Sequence, residues 1–288
     1  MYSIVKWSFL IIGGLVLLVS IAVAGVHFIS NIRIDTEHTV AAIPIAIPSD
    51  AQTIARGEHL ALTRGCLDCH GEKLDGKAVI DAQPMGRIYA PNITPGGLAA
   101  SYNDQDWIRA IRHGVKPDGR SVLLMPSYEY YFLDDRDLGA LIAYLKQIPT
   151  LDTPSISIDL GPIGRLLILS DQLRLAAEYI VHTQQPPTAP PAAPTATYGA
   201  YLAVTCIGCH GENFVGGPIP GGDPSWPPAT NLRPDEAGIG SWNETDFVHA
   251  MRQGLRPDGT SISPVMPRSF GHFTDDELKA IWLHLRAL

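Results

Sequence analysis

The sequence predicts an all-α protein, built as two tandem helical domains behind an N-terminal transmembrane helix. Three observations lead there. One stretch, Trp7 to Ile32, runs for 26 residues without Asp, Glu, Lys or Arg. The remainder of the chain repeats itself at an offset of 140 residues, and self-similarity at a fixed period marks tandem structural units. In both repeats apolar residues recur at helical spacing, whereas strand-like alternation is nearly absent.

Composition sets the outer limits. A length of 288 residues suits about two domains. Hydrophobic residues make up 45% and charged residues only 17%, and the apolar N-terminus accounts for the surplus. The formal net charge of −8, with no Lys/Arg cluster, argues against a nucleic-acid partner.

The N-terminal run would make a helix of about 39 Å, longer than a hydrocarbon core of about 30 Å. Lys6 and Trp7 at one end, and Asn31 and Arg33 at the other, suit the two interfaces. Ala22-Val23-Ala24 offers a rival reading as a signal-peptide cleavage site. The apolar run continues past it, which favours a retained anchor.

Residues 34–50 form an extended lead punctuated by Pro44 and Pro48, since helix is disfavoured just before a proline. A helix capped by Ser49 or Asp50 follows and delivers Cys66. Ile54, Leu60 and Leu62 supply its buried face, and Gly57 permits close approach of another helix. The stretch Asp106–Arg112 matches Asp246–Arg252, Gly114 matches Gly254, and Lys116-Pro117-Asp118-Gly119 matches Arg256-Pro257-Asp258-Gly259. With one residue of drift, Met125-Pro126 matches Met266-Pro267. Each repeat closes on an amphipathic helix: Leu138, Leu141, Ile142 and Leu145 after Asp134 or Asp135, then Leu278, Ile281, Trp282 and Leu285 after Thr274 and Asp275. Between the repeats, Gly161 to Val181 reads as a helix too charged to span a membrane, packed against the domains in preference to lying as an amphipathic helix on the membrane surface. Gln184 to Thr197, with Pro186, Pro187, Pro190, Pro191 and Pro194, reads as a semi-rigid linker spacing the second domain.

One five-residue motif occurs in each repeat: Cys66-Leu67-Asp68-Cys69-His70 and Cys206-Ile207-Gly208-Cys209-His210. C-x-x-C-H is the attachment signature of c-type haem. Residues three apart share a helix face, so both thiols reach the vinyl groups of one porphyrin while the histidine projects at iron. A C-x-x-C pair alone could be a redox dithiol or half a zinc site, and four cysteines could form two disulfides. Neither explains why all four cysteines lie inside the two motifs with histidine next in each. Two covalently bound haem c groups are expected, and the porphyrins would supply much of the apolar core that domains of about a hundred residues lack.

Iron in such proteins takes a His/Met pair. His70 and His210 are the proximal ligands; Met125 and Met266 are the expected sixth ligands, each in a loop stiffened by the following proline. Met251 falls on an apolar helical position and suits packing, and Met85 has no counterpart in the second repeat. His27, His59, His113, His249 and His272 are weaker candidates. Arg112 and Arg252 repeat near the ligand loop and are candidates to pair with a propionate. Asn92 and Asn231 also repeat, and loop shaping is their first explanation.

The stretches APNITPGG (90–97), DWIRAIRHGVKPDGR (106–120), LMPSYEY (124–130) and LDDRDLGALIAYLK (133–146) carry a resemblance. The chain resembles membrane-anchored dihaem cytochromes c of the bacterial class I type, especially the cytochrome subunits of membrane-bound alcohol and gluconate dehydrogenases. Those subunits commonly carry three haem motifs, against two here. The resemblance implies two tandem class I cytochrome c domains with low-spin His/Met iron. The expected organisation is an anchor over 1–33, a first domain over 34–150, an interdomain helix and linker over 151–197, and a second domain over 198–288. Iron ligated on both faces leaves no open position for substrate, so the expected role is electron transfer rather than catalysis. The expected partners are a membrane redox complex (a dehydrogenase, a quinol-oxidising complex or a haem-copper oxidase), a soluble carrier, and the lipid bilayer. The haem domains are expected on the periplasmic side of the bacterial inner membrane. The competing reading is a dihaem peroxidase-like enzyme, which needs one iron with a displaceable ligand.

Overall fold

An apolar rod, α1 (Tyr2–Ile34), carries the rest of the molecule at its C-terminal end. The computed structural model describes residues 2–154, 156–223 and 225–288, with side chains described from residue 5 onward. Val5–Ile34 is long and apolar enough to cross a membrane, and none of its most apolar stretch is buried against the described residues. The last turns engage the body, where Ser30 is fully buried.

Each repeat is built on one helix crossing. In the first, α2 (Ala51–Thr63) starts at Asp50, whose carboxylate accepts the Gln52 and Thr53 N–H groups at 3.1 and 3.0 Å. It crosses α6 (Asp135–Leu145) so closely at Gly57 that a methyl group there would fall on the Ala140 carbonyl. In the second, α8 (Ala196–His210) crosses α10 (Asp275–Arg286) with Gly199 on the Ala280 carbonyl. Helices α4 (Asp104–His113) and α9 (Glu244–Gln253) also correspond. Each opens with a capping box, Asn103 with Asp106 and Asn243 with Asp246, and each ends at a left-handed glycine, Gly114 or Gly254. Two short helices complete the first repeat, α3 (Cys66–His70) and α5 (Ser127–Tyr130), the latter matched by a 3₁₀ turn at Arg268–His272.

Four features depart from the sequence reading. A three-stranded antiparallel sheet joins β1 (Lys77–Ala82), β2 (Gly86–Ala90) and β3 (Asp159–Leu160) in that order. A register shift between Ala78 and Ile80 breaks the alternation that would announce β1, and β3 is too short to show a pattern. The expected helix over Gly161–Val181 is instead α7 (Pro162–Leu169) and a 3₁₀ turn at Ala176–Tyr179. Left-handed Asp171 ends α7, and the N–H groups of Gln172 and Leu173 both turn back to the Leu167 carbonyl. The helix reaching toward Cys66 breaks at left-handed Gly65, whereas α8 runs unbroken through its motif. Finally, the proline-rich segment does not hold the repeats apart, because one continuous core joins Leu60 and Leu141 to Leu202 and Ile281.

The interface between the repeats is reciprocal. His59 on α2 meets Glu277 on α10 at 2.7 Å, and Tyr201 on α8 donates to Asp137 on α6 at 2.7 Å. His59 and Tyr201 hold matching places in their repeats, as do Asp137 and Glu277. Arg56 joins the two sides, bonding Asp137 through both oxygens at 2.9 Å and Glu277 at 3.2 Å.

Candidate functional site

Left-handed Gly65 (φ 74°) starts α3, and the single turn of Cys66–His70 places Cys66 and Cys69 on one side. The His70 Nδ1–H donates to the Pro91 carbonyl at 2.8 Å. That bond fixes the tautomer and leaves the Nε2 lone pair free, the usual preparation of a metal-binding imidazole. Burial pushes His70 below its ordinary pKa, against the Pro91 bond, so the ring stays neutral. His70, Cys66, Cys69 and Met125 line one cavity of about 620 Å³, walled by apolar side chains such as Trp107 and Leu141. That volume lies within the usual range for cofactor pockets, roughly 300–1,000 Å³.

The second motif has the same local wiring. His210 Nδ1–H donates to the Thr230 carbonyl at 2.7 Å. The Gly76 N–H bonds the His70 carbonyl and the Gly216 N–H bonds the His210 carbonyl, both at 2.9 Å. The turn after each motif puts a non-glycine residue, Leu74 or Phe214, in the left-handed region at φ 59° and 57°. Met266 is half-buried against the common core.

The thiols argue for haem over a redox dithiol. All four cysteines are unpaired. Burial pushes the Cys66 and Cys206 thiols up to about 12, and Cys69 and Cys209 are raised for the same reason. A dithiol that exchanges electrons needs a low pKa. Half-buried, unpaired thiols beside an imidazole with a free Nε2 fit thioether attachment of haem c.

The remaining sequence candidates have other occupations. Arg112 bonds Asp135 at 2.8 Å and the Leu133 carbonyl at 2.9 Å. Arg252 likewise bonds Asp275 at 2.8 Å and the Gly271 carbonyl. Both tie one helix end to the start of the closing helix. The cations that do line the first cavity are Lys116, Arg120 and Arg165. Sequence reasoning passed them over, although Lys116 lies in a repeated stretch. Asn31 and Ile34 of α1 line the same cavity, a contribution from the anchor that the sequence did not signal. Asn92 and Asn231 shape their loops, their side-chain oxygens accepting the Thr94 and Arg233 N–H groups at 2.9 and 2.8 Å. Met251 packs against the core, and Met85 sits at the β1–β2 turn, where its carbonyl accepts the Gly161 N–H at 3.0 Å. His113 lies 3.2 Å from His182, and burial with that neighbour lowers it to about 4.

The two motifs face each other's methionine-bearing segment. Asp68, inside the first motif, accepts a hydrogen bond from Ser269 at 2.5 Å, three residues after Met266. Glu129, four residues after Met125, lies against Gly208 inside the second. Arg64, buried beside Gly65, reaches across to the Leu202 carbonyl at 3.0 Å. Burial pushes Glu129 up to about 8, with Arg64 and Arg174 pulling the other way.

Comparison with known proteins agrees with this chemistry. Residues 54–149 match the cytochrome c family. The gluconate 2-dehydrogenase cytochrome c subunit of Pantoea cypripedii is 30% identical over 82% of this chain and 59% of its own length. The fructose dehydrogenase cytochrome subunit of Gluconobacter japonicus is 26% identical, over 85% of this chain and 54% of its own. A diheme c-type cytochrome of Cereibacter sphaeroides is 26% identical over 81% of this chain and 84% of its own. The chain thus spans a little over half the length of the two dehydrogenase subunits. It carries a cytochrome c domain and is homologous to cytochrome subunits of dehydrogenases.

Proposed function

We propose that this chain is a membrane-anchored dihaem electron-transfer subunit that takes electrons from a dehydrogenase and passes them on to a further membrane redox complex or a soluble carrier. In this reading residues 34–150 and 198–288 are two cytochrome c domains, with α1 spanning the inner membrane and both domains on its periplasmic side. Cys66 with Cys69, and Cys206 with Cys209, would each hold one haem through two thioether bonds. His70 with Met125, and His210 with Met266, complete the two ligand pairs. Haem c, when bound, supplies a one-electron couple; the chain fixes its ligands, excludes water and sets the separation of the two groups. Lys116 lines the first pocket and would meet the charge of a propionate there; Arg120 and Arg165 line it too, but are held by Asp118 and Asp35 and by Ser30 and Asn31.

The observation that carries the reading is the mutual approach of the motifs, Asp68 to Ser269 and Glu129 to Gly208. A pair of carriers needs its attachment edges close, and these contacts bring them together. The names of the relatives support the dehydrogenase as donor. The test is intact-mass spectrometry and redox titration of the full chain. The expected result is the added mass of two haems and two low-spin centres with methionine–iron absorption. Met125→Ala and Met266→Ala should each remove one methionine band and leave the other. A chain of unmodified mass, or a high-spin centre in the unaltered protein, would overturn the proposal.

A further inference from the structure

Helix α7 joins the body to the anchor, and its contacts have a direction. Arg165 Nη1 bonds Ser30 Oγ at 2.9 Å and Asn31 Oδ1 at 2.6 Å. Three residues later, the Ile168 carbonyl accepts from Arg33, two to three residues further along α1. The two helices therefore advance together, and the N-terminal end of α7 points back toward the membrane-spanning part of α1.

The level of that end can be read off α1. From Val5 to Phe28 is 23 residues, about 35 Å along the helix, and Ile32 lies about 6 Å further. A bilayer is about 30 Å thick in its hydrocarbon core and about 40–45 Å with its headgroups. With Val5 at the outer surface of the opposite headgroup layer, Phe28 to Ile32 lie in the headgroup zone, and on the side away from α7 they remain apolar and exposed: Phe28 by 67%, Ile29 by 55% and Ile32 by 56%. Stepping back along α7 from Arg165 puts Ile163 beside the Phe28–Ile29 level and Leu166 nearer Ile32. Ile163 and Leu166, three apart on one face, are 40% and 45% exposed. The one charge on α7, Arg165, is turned inward to Ser30, Asn31 and the Leu160 carbonyl. The neighbouring Asp171 is matched by Arg33.

We propose that α7 is a second membrane contact: its Ile163–Leu166 face lies in the headgroup zone of the same leaflet from which α1 emerges. This rests on α1 spanning the bilayer. An exposed apolar face with no outward charge, fixed beside an emerging anchor, is stabilised by removing that face from water into the headgroup zone. Its effect is to stop the body pivoting about a single helix and to hold the first pocket, to which Arg165 and Asn31 contribute, with one wall at the headgroup level.

Spin labels placed on the full-length protein in phospholipid nanodiscs test it. Single variants Leu17→Cys, Ile163→Cys, Leu166→Cys and Glu236→Cys, all at exposed positions, are labelled, with the unaltered chain as the blank for native thiols. Collision rates with oxygen and with a water-soluble nickel chelate then report depth. The expected order is Leu17 deepest, then Ile163, then Leu166, each with an oxygen-to-nickel ratio several-fold above that of Glu236. Leu17 in lipid with Ile163 and Leu166 as aqueous as Glu236 would overturn the α7 contact and leave the anchor standing. An aqueous Leu17 would overturn the spanning anchor and this contact with it.

Discussion

Glu129 is the residue whose ionisation bears most directly on redox behaviour. Burial keeps its carboxyl protonated to about 8, beside the second motif. In the proposed dihaem reading, a negative charge above that pH would stand next to the second haem and favour the oxidised, more positive iron. The potential of that haem should therefore fall as pH rises through about 8, by an amount on the order of tens of millivolts. Glu129→Gln should flatten the curve, which potentiometric titration at several pH values would show; an unchanged slope would remove Glu129 from the account. Gly57 and Gly199 make a simpler case. A methyl group at either meets a backbone carbonyl that cannot retreat. Gly57→Ala and Gly199→Ala should each cost about 1–3 kcal/mol, measured by chemical denaturation.

At the scale of elements, the interface between α2, α6, α8 and α10 concentrates the charge chemistry. Burial alone would raise Glu277, but hydrogen bonds from His59 and the Thr274 N–H, with His59 and Arg56 nearby, hold it down at about 2. A carboxyl lowered in the folded state stabilises the fold above its unfolded value of about 4.5. That contribution, roughly 3 kcal/mol, is lost as pH falls from there toward 2. Glu277→Gln should remove this acid-sensitive step. Arg56→Ala leaves Asp137 and Glu277 without their shared cation and should cost about 3 kcal/mol. Thermal melts from pH 5 to pH 2 would test both.

The legibility of the elements follows the range of the forces that make them. Caps and periodic faces are local, so Asp50, Thr274 and the stripe Leu138–Leu145 read directly from sequence. The attachment motifs read just as directly, because their chemistry fixes their spacing. The β1–β2 hairpin did not, since a bulge scrambled its alternation. Arg112 and Arg252 had the right repetition, yet repetition alone cannot tell a helix tie from a pocket lining. Lys116, Arg120 and Arg165 come together only because the loop after α4 and the start of α7 meet in space. The Arg64-Gly65 pair was an unread signal: Gly57 lies nine residues before Cys66, while Gly199 lies seven before Cys206. The two extra residues form the left-handed break and send Arg64 across the interface.

For the whole molecule, the apolar rod and the two repeats divide the work of location and chemistry. The rod sets where the protein stands, and the repeats set how far apart the two attachment motifs lie. The reciprocal contacts His59–Glu277 and Tyr201–Asp137 are those that two separate copies would make about a twofold axis. The tether from Gln184 to Thr195 is consequently not what keeps the halves in register. If a protease were to nick it among its prolines, the two polypeptides should still migrate as a single particle on a sizing column and keep their joint spectrum. Only gel electrophoresis in detergent and heat would reveal that the bond had been cut.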